Sequence, residues 1–326
     1  MRTLVVAAAL AAGSAVLFGP DARAQSQPEA VNWLRKIYTA TDRLSYTGTF
    51  VYQHGEQVET SRLARIVDST GVHERLETLD GTPREIIRVN EEVQCYIPST
   101  MTIKVDRQME TRPFRAMRAD VGEITENYNV RKAETERIAG YDCQSIVLEP
   151  KDNLRYGHKL WADANTGMLV KARTLNEKGE VVEQFAFTEL KIGGKIDRDK
   201  VKSRFAGKGR DWRVEHSGIV ETNLAPQGWG VKSLPPGYRK VAELRRNVGG
   251  ARDVGQIVVS DGLAAVSVFI EPLATRKAVP QLGPARQGAV NVYTRKIEEF
   301  LVIVVGEVPA ESVRQIAYNV EYRRPQ

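Results

Sequence analysis

Apolar positions divide the chain into an apolar head, one helical stretch, a long run of alternation and a second mixed region. The head, Leu4 to Phe18, is almost unbroken, with Gly13 and Ser14 as soft interruptions and Arg2 in front. From Pro28 to Leu44, the residues Trp33, Leu34, Ile37, Tyr38 and Leu44 recur at helical spacing, with Pro28 and Glu29 suited to a first turn. This predicts one amphipathic helix. From Ser45 to about Phe205 the period becomes two. Tyr46, Gly48, Phe50 and Tyr52 share one face, Val181, Phe185 and Phe187 share another around Glu183, and Met101, Ile103 and Val105 alternate with Thr102, Lys104 and Asp106. Turn residues punctuate the pattern at 69–71, Asp80-Gly81, 165–167 and 176–179. The count is roughly ten strands, with one helix between them near Arg112 to Ala119. Short connections make neighbours antiparallel, so the region is a large curved sheet or open barrel that the helix covers in part.

Alternation stops at Ala206 to Ser217, where Gly and charge accumulate, marking a linker. Beyond a Gly/Pro-rich stretch, strands are expected at Gln256 to Ser260, Leu263 to Glu271, Val290 to Thr294 and Glu299 to Val305. A final helix after Pro309 carries Val313, Ile316, Ala317 and Val320 on one face. The second region therefore reads as a small antiparallel sheet packed by one helix. The expected organisation is a leader over 1–24, a first domain over 25–205, a linker over 206–220 and a second domain over 221–326.

The apolar head is too short to span a bilayer and ends on Ala22-Arg23-Ala24, which fits the small-residue rule for signal peptidase. Cleavage after Ala24 is expected, which makes the mature chain a soluble exported protein. The first cysteine is Cys95, so none follows the cleavage site to carry a lipid. Export changes the reading of the cysteines: a disulfide between Cys95 and Cys143 is permitted in an oxidising compartment, while both also suit the role of buried small thiols. The formal net charge of +6 is mild and dispersed. It suits an acidic peptide or an anionic lipid surface and argues against a nucleic-acid tract.

Chemistry is sparse. There are four histidines, none paired locally, and His73-Glu74 lacks the second ligand of H-E-x-x-H because position 77 is Glu77. G-x-S-x-G is absent, and Ser260-Asp261-Gly262 reads as a hairpin turn. No catalytic residue, metal site or cofactor is assigned. The aromatic residues are more suggestive. Phe50, Tyr52, Tyr96, Trp161, Phe185 and Phe187 fall on strands of the first domain and either build its core or line an apolar cavity on its concave face. Arg210, Trp212 and Arg213 in the linker are candidates for a contact at the domain junction, or for local packing.

Several segments together carry a resemblance: LSYTGTFVYQHG (44–55), EVQCYIPS (92–99), RIAGYDCQSIVLEPKDNLRYGHKLWADANTGMLVK (137–171), WGVKSLPPGY (229–238), QIVVSDGLAAVSVFIEP (256–272) and VVGEVPAESVRQIA (304–317). In this order they resemble the RseB/MucB family of periplasmic regulators of the sigma-E envelope-stress factor. The resemblance spans the mature chain. It implies an α+β, mainly β protein: a half-barrel like that of the lipoprotein carrier LolA, followed by a smaller C-terminal domain. It also implies binding to the periplasmic segment of a membrane anti-sigma factor of the RseA/MucA type, shielding of that segment from site-1 proteolysis, and release by mislocalised lipid or lipopolysaccharide. A lipid or lipoprotein carrier of LolA type is the alternative, since the first domain alone would suit it. A homo-oligomer is left open.

Overall fold

The structure, a computed structural model, describes residues 22–106, 121–207, 211–216, 218–248, 251–275 and 280–324. It opens with helix α1 (Ala22–Arg43), six residues earlier than the periodicity predicts, with Pro28 inside the helix. Pro28 is the seventh helical residue, so its missing N–H forgoes one bond, to the Ala24 carbonyl, while the residues ahead of it include good helix formers. The most N-terminal part of the leader and the helix expected near 112–119 lie outside the described residues.

Strands β1 (Tyr46–His54), β2 (Gln57–Asp68), β3 (Gly71–Thr78), β4 (Glu85–Val89), β5 (Glu92–Ile97) and β6 (Thr102–Asp106) form one antiparallel meander. Helix α2 (Val121–Asn127), which the sequence pattern did not single out, leads into a second meander. Its strands are β7 (Tyr128–Ile138), β8 (Tyr141–Pro150), β9 (Gly157–Asp163), β10 (Leu169–Leu175) and β11 (Val181–Ile192). Pairing of β1 with β11 joins the two into one open sheet. The large open sheet expected from alternation is therefore present, as the half-barrel implied by the resemblance requires.

Alternation places Tyr46, Phe50, Phe185, Leu160 and Ile146 on the inner face, where they form the main core together with Ala30, Leu34 and Ile37 of α1. The helix is fastened there by polar contacts as well. Arg65 Nη2 donates to the Asp42 carbonyl at 2.9 Å, and Lys36 Nζ donates to the Ala164 carbonyl at 2.7 Å.

After β11 the chain does not leave the first domain at once. It crosses the outer face as a strap in which Ile196 and Val201 pack on Ala64 and Ile66. The linker then adds β12 (Arg213–His216) to the edge of β6, as a parallel neighbour in an otherwise antiparallel sheet.

The second domain holds β13 (Val220–Glu221), β15 (Arg239–Val248), β16 (Ala251–Ser260), β17 (Ala265–Pro272), β18 (Gly283–Gln287), β19 (Val290–Ile297) and β20 (Phe300–Gly306) in one antiparallel sheet. Helix α3 (Ala310–Asn319) covers it through Val313, Ile316 and Ala317, and a small ribbon of β14 (Trp229–Val231) and β21 (Val320–Tyr322) completes the core. Among the described residues no helix is long and apolar enough to cross a membrane.

Candidate functional site

The six aromatic candidates do not share one surface. Phe50, Phe185 and Phe187 meet edge to face on the inner side, with ring centroids 5.1 to 5.9 Å apart, and all three are buried. Gly48 makes this possible, because a Cβ there would sit 2.7 Å from the Phe187 ring and 2.5 Å from the Glu189 carbonyl oxygen. Tyr52 lies on the same face, half-buried, and its hydroxyl donates to Glu183 Oε1 at 2.6 Å. Together with His54, Thr78 and Ile97 it lines a cavity of about 670 Å³.

Trp161 and Tyr96 take the other side of the sheet, although Trp161 is buried and joins the main apolar cluster, as the core alternative has it. Leu160 is in line with Ala172 and Phe185 across β9, β10 and β11, so its neighbour Trp161 points the other way. There Lys159, Lys171 and Arg173 lie 4.7, 4.7 and 5.5 Å from the indole, and Trp161 Nε1 donates to Glu136 Oε1 at 2.7 Å. That bond and Lys159 hold the Glu136 carboxyl below its usual range, against burial. Tyr96 is opposite Glu85 and Ile103, also on the outer side. It stacks on Phe205 at 6.4 Å and meets Trp212 at 6.0 Å.

The linker candidates therefore serve the first domain's edge. Trp212 packs on Phe205 and Tyr96, and Arg213 pairs with Thr102 in the β12–β6 register and forms an ion pair with Glu215. Arg210 lies outside the described residues. The permitted disulfide is not formed. Cys143 sits in the main core and Cys95 in a separate cluster with Ile86 and Val93, both as free thiols. Burial raises both thiol pKa values, that of Cys143 to about 11.

The strap is held by a buried carboxylate. Glu85 Oε1 accepts from Arg75 Nη2 at 2.9 Å and from Arg204 Nε at 3.0 Å. Its Oε2 accepts from Ser203 Oγ at 2.8 Å and from the Arg204 backbone N–H at 3.1 Å. Beside it Arg62, Arg75, Lys191, Lys200 and Arg204 line a cavity of about 580 Å³ between strap and sheet.

The domain junction is built by residues that the sequence reading did not select for it. The loop between β8 and β9 presents Arg155, whose side chain is 0% exposed, to the second domain. Its Nε donates to Asp152 Oδ1 at 3.1 Å, its Nη2 donates to the Pro236 carbonyl at 2.5 Å, and its Nη1 lies 3.5 Å from Asp261 Oδ2. Tyr128 donates to the same Asp261 oxygen at 3.2 Å. Burial and the facing Asp261 push the Tyr128 hydroxyl pKa well above its ordinary value.

The Leu154 carbonyl accepts from Tyr238 and Ser312, Asn291 Nδ2 donates to the Tyr156 hydroxyl, and the Ala289 N–H donates to His54 Nε2. The available signals were turn residues alone: NLRYG before β9 and Ser260-Asp261-Gly262, which does form the β16–β17 hairpin turn. Among the described residues this seam fastens two domains and brings no nucleophile to a base.

Comparison with known proteins follows the same end-to-end layout. The MucB/RseB N-terminal domain family matches residues 29–205, and the MucB/RseB C-terminal domain family matches residues 223–321. The chain is 31% identical to the sigma factor AlgU regulatory protein MucB of Pseudomonas aeruginosa over 297 residues, covering 90% of each. It is 24% identical to the sigma-E factor regulatory protein RseB of Escherichia coli K12 over 338 residues, covering 99% of each. Among solved structures it resembles the Pseudomonas aeruginosa MucA/MucB complex with a TM-score of 0.71 at 30% identity, over 90% of this chain and 99% of that one. MucB solved by itself gives a TM-score of 0.66 at 29% identity, over 91% and 98%. Two domain families in register along the whole fold, and a relative above 30% identity over nine-tenths of its length, make the chain a member of the MucB/RseB family of sigma-factor regulatory proteins.

Proposed function

We propose that this protein is a negative regulator of an envelope-stress sigma factor that works in the periplasm after loss of residues 1–24. Residues 25–205 form the lipid-sensing half-barrel, 206–220 the linker and 221–326 the C-terminal domain. Together the domains hold the periplasmic segment of a membrane anti-sigma factor and shield it from site-1 proteolysis. Mislocalised lipid or lipopolysaccharide releases it. The relatives are regulatory proteins, and the reading assigns the chain no catalysis.

One observation carries this reading: the full-length likeness to MucB in a structure that also contains the periplasmic part of MucA, at a TM-score of 0.70 and 29% identity over 90% of this chain and 99% of that one. Energetics allow the switch. Moving a two-state equilibrium from 1:99 to 99:1 requires about 5.5 kcal/mol of differential affinity. Burying about ten methylenes supplies ~8 kcal/mol gross, so lipid suffices if most of that burial occurs in one state only.

The test is calorimetric titration of the mature protein with the periplasmic segment of its own anti-sigma factor, with and without lipopolysaccharide. Binding is expected, and lipopolysaccharide is expected to weaken it. No binding, or binding indifferent to lipopolysaccharide, overturns the reading.

A further inference from the structure

The tip of the β16–β17 hairpin crosses from the second domain into the first. Leu263 packs against the first domain's main apolar cluster, the one that contains Phe50, Phe185 and Phe187. Asp261, two residues before it, divides its carboxylate between two tasks. Oδ1 accepts from the backbone N–H groups of Leu263 and Ala264 at 3.0 and 2.8 Å, which shapes the tip. Oδ2 faces Tyr128 and Arg155 of the first domain. Tyr128 itself belongs to the apolar cluster. The hairpin thus makes one apolar and one ionic attachment at the same end of the half-barrel.

The quality of the ionic attachment is informative. Arg155 Nη1 is buried and has no hydrogen bond, and its approach to Asp261 is a loose 3.5 Å. A buried charge satisfied this incompletely adds little net stability, and a contact that only had to weld two domains would be better made from apolar side chains. The rest of the seam is mixed: hydrogen bonds from Tyr238, Ser312 and Asn291 and the Arg239–Glu123 ion pair, groups that water can satisfy when the domains part, and the small Ala289 against Tyr156 and Val182. Leu263 is the described second-domain residue that reaches the first domain's main apolar cluster.

The geometry points to the hairpin tip Asp261–Leu263 as a plug, whose seating and the filling of the first-domain core by an apolar chain exclude one another. The core is close-packed, with aromatic centroids 5.1 Å apart, so added apolar volume must displace something. Helix α1 is held by the buried Ala30, Leu34 and Ile37 and by two polar contacts of 2.7 and 2.9 Å, whereas the plug sets one partly buried side chain against the same cluster. The plug yields first, and the domains part at the seam. This deepens the regulatory reading and rests on it for the identity of the lipid, but exclusion between plug and apolar ligand stands independently.

The test uses the full mature chain with Gly55→Cys and Gly288→Cys. A Cβ at Gly55 would lie 3.3 Å from the Gly288 Cα and one at Gly288 3.9 Å from the Gly55 Cα, within reach of a bridge across the seam; both positions have φ of +59° and a Cβ at Gly288 must push His54 aside, so the reduced double variant is the reference, and the two native thiols are buried. Uptake of the neutral fluorophore N-phenyl-1-naphthylamine is followed in the oxidised and reduced forms of the same folded protein. The oxidised form is expected to need about tenfold more probe for half-saturation than the reduced form, the factor that ~1.4 kcal/mol of population shift produces. Leu263→Ser and Asp261→Asn should each need about tenfold less than the parent, by the same arithmetic. Equal uptake by the oxidised and reduced forms overturns the plug, since it would mean that α1 opens instead. Displacement of the anti-sigma segment by lipopolysaccharide is measured separately on the parent. Its failure alongside a redox-dependent uptake would sink the regulatory reading and leave the plug in place.

Discussion

The carboxylate under the strap is the most exacting place to perturb the first domain. Glu85 is 1% exposed and accepts four hydrogen bonds, two on each oxygen. Changing it to Gln conserves shape but puts an NH2 group in front of two donors and removes the negative charge between Arg75 and Arg204. Removing one partner of a buried ion pair costs about 3–5 kcal/mol, because the other charge stays behind. Here the stranded group is Arg75, whose side chain is 13% exposed and keeps Glu77 at 3.0 Å. Arg204 can swing into water, since its side chain is 60% exposed. The low end, about 3 kcal/mol, is therefore expected for Glu85→Gln. Arg204→Gln, which strands no buried cation, should cost less than about 1 kcal/mol.

Urea unfolding followed by circular dichroism measures both. Limited proteolysis should also show the strap, 193–206, cut faster in Glu85→Gln than in the parent. Equal unfolding midpoints for Glu85→Gln and the parent would refute the claim that the strap is fastened through this carboxylate, and so would a larger loss in Arg204→Gln than in Glu85→Gln.

The remaining expectations follow from single contacts. Gly48→Ala should destabilise by about 3 kcal/mol in urea unfolding, the upper part of the overpacking range, because the new methyl meets a backbone oxygen as well as the Phe187 ring. His158 is buried, and burial lowers its pKa from 6.5 to about 4, with Asp261 opposing. The unfolded chain therefore binds the extra proton first, and stability present above pH 6.5 is lost as pH falls toward about 4, by ~3 kcal/mol in full. The parent-minus-His158→Gln difference in unfolding free energy should carry that slope, and a flat difference would contradict it. Ellman's reagent should find two thiols in denatured protein without reductant and react far more slowly with native protein. A denatured sample with no reactive thiol would restore the disulfide.

The large antiparallel sheet was legible because alternation is a local property, and Phe50, Phe185 and Phe187 fell on one surface as their spacing implied. Trp161 and Tyr96 did not, because which face a residue takes relative to another strand depends on register. Register here shifts between Thr49 and Phe50 and again between Leu169 and Lys171. No spacing within a strand reveals such a shift. The junction was illegible for a different reason. Arg155 and Asp261 occupy turns, where a charged residue is ordinarily solvated, and only the meeting of two domains buries them. Strand β12 has neither apolar alternation nor a buried residue; its place is set by backbone pairing to β6, which leaves no side-chain pattern to read.

Buried charge recurs at three places where the large sheet fastens something to itself. Glu85 holds the strap, Arg155 faces Asp261 of the second domain, and inside the half-barrel Glu74 pairs with Arg65 and lies 3.3 Å from Arg88 Nε. Arg65 reaches on to the Asp42 carbonyl in the last turn of α1. If such pairs existed for stability, apolar replacements would do as well: exchanging a buried ionic cluster for well-packed apolar residues is neutral or gains about 1–4 kcal/mol. What the apolar version lacks is a direction. The inner face offers α1 rows of similar aliphatic side chains along which it could slide by a turn, whereas one guanidinium finds one carbonyl. Replacing Arg65, Glu74 and Arg88 together by methionine should therefore leave the thermal midpoint unchanged or raised. Amide exchange in the last turn of α1, 40–43, should meanwhile quicken relative to the parent. A lowered midpoint with unchanged exchange would show the reverse, that the cluster is there for stability and α1 is positioned by its apolar face alone.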